Sequence, residues 1–234
     1  MKGLRHIKKI REYCNYIEDH LLKVNDSWEI IKITCRDMNF VYDDFLFWHI
    51  TKLIYLHDVS KMSIEEFIPY QQKFFPVEKP DDTWFSSALQ HHYDFNPHHW
   101  QNWTTRKETF PNEQTCHCVC MIADWMAMGM KFGDTAEQYY EKNKVKIDLP
   151  DWAIEFISEI FQRLRDVRVI RCASCGEYQE WDEETPLCKS CQHNLMTVPC
   201  GWENKEKENV RRQTDGAGPE RTGGKDPDEA ALPG

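Results

Sequence analysis

Between Cys116 and Met130 the chain reads CHCVCMIADWMAMGM, where the only ionisable side chains other than thiols are His117 and Asp124. A stretch this apolar belongs inside a protein, and it forms the body of a helix expected from about Glu113 to Lys131 and ended by Gly133. A carboxylate in the middle of a buried helix costs several kcal/mol of desolvation unless a cation or strong donors meet it. The fold must therefore bring something positive to Asp124 from other segments, or give it a narrow polar face or a Trp or Tyr partner.

Helical spacing dominates the chain up to residue 167. Leu4, Ile7, Ile10, Cys14, Ile17, Leu21 and Val24 recur every three or four residues over 3–24, which predicts an amphipathic first helix. Residues 43–57, DDFLFWHITKLIYLH, are apolar nearly all round and predict a central helix buried on most sides. Ser63 and Glu66 have capping-box spacing at the start of a short helix that Pro69 interrupts or kinks. Asp82 or Thr83 can cap a helix with Trp84, Ala88 and either His91 or His92 on one face. A last long helix starts near Pro150 and carries Ala153, Phe156, Ile157, Ile160, Leu164 and Val167. Strand alternation is hardly visible before residue 167, so the fold class is all-α.

The 234 residues carry 41% hydrophobic side chains and a net charge of −10. The first figure allows a real core. The second argues against non-specific duplex binding as the main task and requires local positive charge for any anionic substrate. No apolar run approaches the ~18 residues a bilayer crossing needs. The basic start, MKGLRHIKKIREY, lacks the apolar stretch of a secretion signal, so the expected setting is cytoplasmic and reducing, with no membrane partner.

Candidate ligands come from several helices. His57-Asp58 ends the second helix, with Lys61 one turn beyond His57; His20 can point inward from the first; and HHYDFNPHHW supplies His91 or His92 and His98 or His99. With Asp124 these offer imidazole nitrogen and carboxylate charge to a divalent ion. His92 and His99 are the preferred members of the doublets, against the alternative of an exposed His-rich turn packed on Tyr93, Phe95 and Trp100. His49 is the rival to His20, but two turns of one helix, about 12 Å, separate it from His57.

Beyond Val167 the character changes. Cys172 and Cys175, then Cys188 and Cys191, form two C-x-x-C knuckles suited to a tetrahedral structural zinc, with Gly176 allowing the tight turn and His193 and Cys200 as possible substitutes. Metal supplies the stability that so short a module cannot gain by burial. Cys116, Cys118 and Cys120, at spacings of two on a helix, are read as core packing. Residues 203–234 have almost no large apolar residue and are expected to be a disordered tail. The expected organisation is 1–168 helical domain, 169–202 zinc ribbon, 203–234 tail.

The order of a helical His, HDVSK, further histidines and a distant helical Asp resembles the HD-domain superfamily of metal-dependent phosphohydrolases. HDVSKMSIEEFIPY, ALQHHYDFNPHHW and MIADWMAMGMKFG together are similar to an HD-like family of phages and bacteria, over roughly residues 10–165. The resemblance implies an HD-like helical bundle in which His20, His57, Asp58 and Asp124 hold a first metal. One histidine of each doublet would hold a second metal or touch phosphate, and Lys61 would contact substrate phosphate. Arg106 and Lys107 could assist, although a solvated loop end suits them as well. The implied cofactor is one or two divalent ions (Mn, Fe, Co, Mg or Zn), and the implied reaction is hydrolysis of a nucleotide or other small phosphate ester through a metal-activated water, with Asp58 and Lys61 as catalytic residues. Two alternatives accompany it. One is a di-iron oxygenase of the same superfamily. The other is a non-catalytic scaffold whose ribbon, approached by Arg163, Arg165, Arg168 and Arg171, binds nucleic acid or a protein partner.

Overall fold

The structure, a computed structural model, describes residues 2–78, 82–107, 110, 112–181 and 188–191. Among them the chain is mostly helical: α1 Lys2–Thr34, α2 Asn39–Tyr42, α3 Asp44–Tyr55, a 3-10 turn Val59–Met62, α4 Ile64–Phe74, α5 Asp82–Phe95, α6 Trp100–Trp103, α7 Glu113–Phe132, α8 Ala136–Asn143 and α9 Asp151–Asp166. Strands β1 Val169–Arg171 and β2 Tyr178–Glu180 follow.

The axis is α7. Its residues from Cys116 to Trp125 are buried in an unbroken run, because α1, α3, α6, α8 and α9 all pack against it. Cys116, Cys118 and Cys120 lie in this core, where burial raises all three thiols. The helix stops at Gly133, whose φ of 86° suits a residue without Cβ and whose N–H bonds the Gly129 carbonyl at 2.8 Å. Val24, Trp28 and Ile31 of α1 join the same core. A second cluster of Tyr13, Ile17, Tyr70, Phe85 and Ala88 fastens α1 to α4 and α5.

Several expectations need correction. The first helix extends to Thr34 because Ser27, Trp28 and Ile31 continue its buried face. Its 33 residues span about 50 Å against about 30 Å for the 20 of α7, so its start overruns the body. Leu4, Ile7 and Ile10 are accordingly exposed instead of buried. The second long helix is one-sided: Leu46, Ile50 and Ile54 face the core, whereas Phe45, Trp48 and Tyr55 are exposed. Ser63 makes no capping bond, and α4 continues through Pro69. Trp84 is exposed while Phe85, Ala88 and His92 form the buried face of α5. Two helices that apolar spacing did not signal are also present: α6, between α5 and α7, and α8, which begins with a full capping box between Thr135 and Gln138.

The C-terminal hairpin pairs β1 and β2 antiparallel, Val169 opposite Glu180 and Arg171 opposite Tyr178. Arg36 of the α1–α2 turn pairs with Glu180, and the Arg168 guanidinium lies 3.3 Å over the Trp181 ring. The expected tail 203–234, His193 and Cys200 lie outside the described residues.

Candidate metal centre

Helix packing delivers the candidate ligands to one point. Ile17 and Val24 anchor α1 in the two apolar clusters and leave His20 between them, 2% exposed. Helix α3 ends at Tyr55, and Asp58 then adopts φ 55°, a left-handed conformation that Asp tolerates better than most residues. On a continuing helix, neighbours diverge by about 100°; this turn instead buries His57 and Asp58 side by side. Ala88 docks α5 so that His92, one turn later, points inward. Asn96 Nδ2 donates to the His92 carbonyl (2.8 Å) and to Ser60 Oγ (2.6 Å), and Asn102 Nδ2 donates to the carbonyls of Tyr93 and Asp94. These bonds shape the loop that places His98 and His99.

Asp58 is shared between two halves of the cluster. Its Oδ2 lies 3.4 Å from His20 Nε2 and 3.7 Å from His57 Nε2. The same nitrogens lie 3.2 and 3.4 Å from Asp124 Oδ1 and 3.1 Å from each other. Asp58 Oδ1 faces the opposite way, 3.4 Å from His92 Nε2 and 3.3 Å from His98 Nε2. Ligand atoms of Asp58, His92, His98 and His99 all fall within 4.8 Å of one another.

The arrangement fits divalent ions. Asp58 Oδ1 and the Nε2 atoms of His92, His98 and His99 are buried without a hydrogen-bond partner, although they converge. Orphaned polar atoms are costly in a dry interior. Two ligands each about 2.1 Å from a shared ion stand about 3.0–3.4 Å apart for angles of roughly 90–110°, close to the separations here.

Electrostatics divide the cluster into a charged side and a neutral side. Burial would push Asp124 up, but hydrogen bonds from His20 and His57 together with their charge hold its carboxyl well below the usual range. Asp58 is likewise held down against burial, chiefly by the charges of Lys61, His57 and His92. His20 resists burial through Asp124 and Asp58 and rises to about 9. His98 falls to about 4, through burial and then the charge of His57, and His99 is also pushed well down by burial. Both stay in the neutral form that ligates metal.

The remaining candidates separate. Lys61 is 1% exposed; its Nζ lies 2.8 Å from Asp58 Oδ2 and 5.4 Å from the centre of the Tyr70 ring. His91 turns away, its Nδ1 2.7 Å from Glu66 Oε1. His49 packs on Phe45 and Phe110, outside the cluster. Arg106 donates to the Asp94 carbonyl, and Lys107 is exposed.

Sequence reasoning passed over Glu66, spending it on a capping box. It is fully buried, and its Oε2 accepts from His92 Nδ1 at 2.8 Å. That bond places the His92 proton on Nδ1 and leaves Nε2 free for the cluster. The available signal was spacing: Glu66 precedes the buried Pro69 and Tyr70 by three and four residues. Both members of the 98–99 doublet join the cluster, where one was expected.

In the hairpin, sulfur ligands from Cys172, Cys175, Cys188 and Cys191 also lie within 4.8 Å of one another. The Cys175 and Cys188 sulfurs are 3.7 Å apart, close to the roughly 3.8 Å set by two Zn–S bonds of about 2.3 Å in a tetrahedron. Backbone N–H groups of Cys175 and Cys188 pull the Cys172 thiol down to about 6. The chemistry is consistent with zinc.

Fold and site together define a mostly helical protein with a buried His/Asp cluster able to hold metal and a Cys-rich hairpin at its C-terminal side. The chain belongs to the family of unknown function DUF5662, whose model matches residues 2–163. No curated protein and no solved structure matches the chain. The family match ends before the hairpin, so the His/Asp cluster lies wholly within it.

Proposed function

We propose that the protein is a metal-dependent phosphohydrolase of the HD type, acting on a small phosphate ester at a centre for two divalent ions. His20, His57, Asp58 and Asp124 would hold one ion; Asp58, His92, His98 and His99 would hold the other. The observation that carries this reading is the division of Asp58, one carboxylate oxygen turned to each histidine group. When bound, divalent ions supply activation of water and compensation of the charge on a phosphoryl group.

The chain's own residues prepare the site. Asp58 fixes the spacing of its two halves, and Lys61 holds Asp58 in place while offsetting its charge. Lys61 is therefore a positioning residue in this reading, since its ammonium meets a carboxylate and not the cleft. Glu66 holds the proton on His92 Nδ1. A chamber of about 30 Å³ lined by His98, His99 and Asp124 is roomy enough for a water. In the reaction, an oxygen of water bonds to phosphorus as the ester P–O bond breaks, and the water's proton ends on the departing alcohol; no redox partner is needed. The four hairpin cysteines hold a separate structural zinc that takes no part in this chemistry.

The test is metal content paired with phosphate release. Asp124→Asn is expected to empty the helical cluster and keep the hairpin zinc, Cys172→Ser to do the reverse, and phosphate release from a panel of phosphate esters to follow the helical pool. Retention of every ion by Asp124→Asn, or silence across the panel with Mn²⁺, Co²⁺, Mg²⁺ and Fe²⁺, overturns the proposal. The full set of five histidines also favours a second reading, a di-iron oxygenase; oxygen uptake by the iron-loaded protein without phosphate release selects it.

A further inference from the structure

A cleft of about 870 Å³ opens beside the cluster, with His57 and His98 in its wall. Most of its remaining wall is apolar, built from Leu53, Leu56, Val59, Met62, Phe95 and Pro97. Val59, Met62 and Phe95 are 60%, 53% and 66% exposed. Apolar side chains that stay wet beside a polar cluster are what an apolar ligand would cover.

The charge pattern narrows the ligand. Among the described residues lining the cleft there is no lysine or arginine, and its nearest acid outside the cluster is Glu65. A second or third phosphate placed here would lose water and meet no lysine or arginine, only the His91 ring, which is already bonded to Glu66, and Glu65 would repel it.

The geometry points to a substrate with one phosphoryl head at the histidines and an alkyl or aryl group in this cleft, in place of a nucleoside polyphosphate. This inference rests on the hydrolytic reading for the head group; the tail is argued from the cleft alone. The apolar walls give the alcohol part of the ester its affinity, and the cluster takes the phosphoryl part.

The test uses the full chain loaded with Mn²⁺ and calorimetric titration with methyl-, butyl- and octylphosphonate, which cannot be hydrolysed, and with ATP. Affinity is expected to rise about fourfold per methylene buried until the cleft is filled, with ATP no tighter than methylphosphonate. Met62→Asn and Phe95→Asn, at positions exposed enough to spare the fold and with no charge added to the cleft, are expected to flatten the chain-length series while leaving methylphosphonate within about twofold of wild type. Equal binding of all three phosphonates, or ATP tightest of all, overturns the tail assignment and leaves the hydrolytic reading intact. Absence of any phosphonate binding to protein with Mn²⁺ bound overturns the head group, and the proposal with it.

Discussion

Glu66 offers the sharpest test of how the second half of the cluster is built. Its two oxygens accept from His91 Nδ1 at 2.7 Å and from His92 Nδ1 at 2.8 Å, and it has no exposed surface. In Glu66→Gln the amide oxygen can still accept from His92 if the amine turns to His91, which is partly exposed and free to change tautomer. The shape then survives while the charge is lost. In Glu66→Ala the His92 proton loses its acceptor, so the tautomer with Nε2 protonated, useless for ligation, competes. Outer-sphere carboxylates of this kind are worth about 10–100-fold in metal affinity, or about 1.4–2.7 kcal/mol. That range agrees with the roughly 1.5–3 kcal/mol of a hydrogen bond to a charged group.

Glu66→Gln should therefore sit near the lower end of that range and Glu66→Ala near the upper. The assay is competition of Mn²⁺ against a calibrated chelator, with helical circular dichroism recorded on the same samples. If the cluster binds two ions as proposed, the weakening should fall on the one among Asp58, His92, His98 and His99, leaving the one among His20, His57, Asp58 and Asp124 near wild type. Wild-type affinity for both ions in both variants, or a loss confined to the His20 side, would refute the positioning role.

Three further outcomes follow from the same geometry. Lys61→Met leaves the buried Asp58 charge without its nearest cation; loss of one partner of a buried pair costs about 3–5 kcal/mol, so the metal-free variant should melt at least about 6 °C lower. Mn²⁺ should raise the variant's melting point more than the wild type's, and equal melting without metal would contradict the pairing. Burial pushes His117 down to about 4. Its contribution is thus complete above the unfolded value of about 6.5 and fades as pH falls from there toward 4. Urea titrations at pH 7.5 and pH 5 should show a loss about 2 kcal/mol larger in wild type than in His117→Gln, and an identical loss would exclude His117 as the cause. Cys188→Ser should release one zinc and expose the chain near Arg168 and Arg171 to trypsin while α1 to α9 keep their helicity; a melt of the whole protein would show that the hairpin is not a separable metal site.

Residue spacing alone determined the helical class, because i, i+3 and i+4 repeats report which face of a helix is buried. It also showed that Asp124 needs partners, since an acid flanked by Met121, Ile122, Ala123 and Trp125 has no local ones. The two C-x-x-C pairs were equally legible, a knuckle being a local structure. Periodicity could not show that the start of α1 overruns the core or that α3 has a bare aromatic side, because exposure depends on which elements lie alongside.

Tertiary structure decided the rest. The left-handed turn at Asp58, the outward rotation of His91, the entry of both His98 and His99, and the capture of Glu66 by His92 are fixed by contacts between segments tens of residues apart. Spacing along a chain specifies which side of a helix a group occupies, but only packing between helices sets the few-ångström separations on which ligand geometry depends.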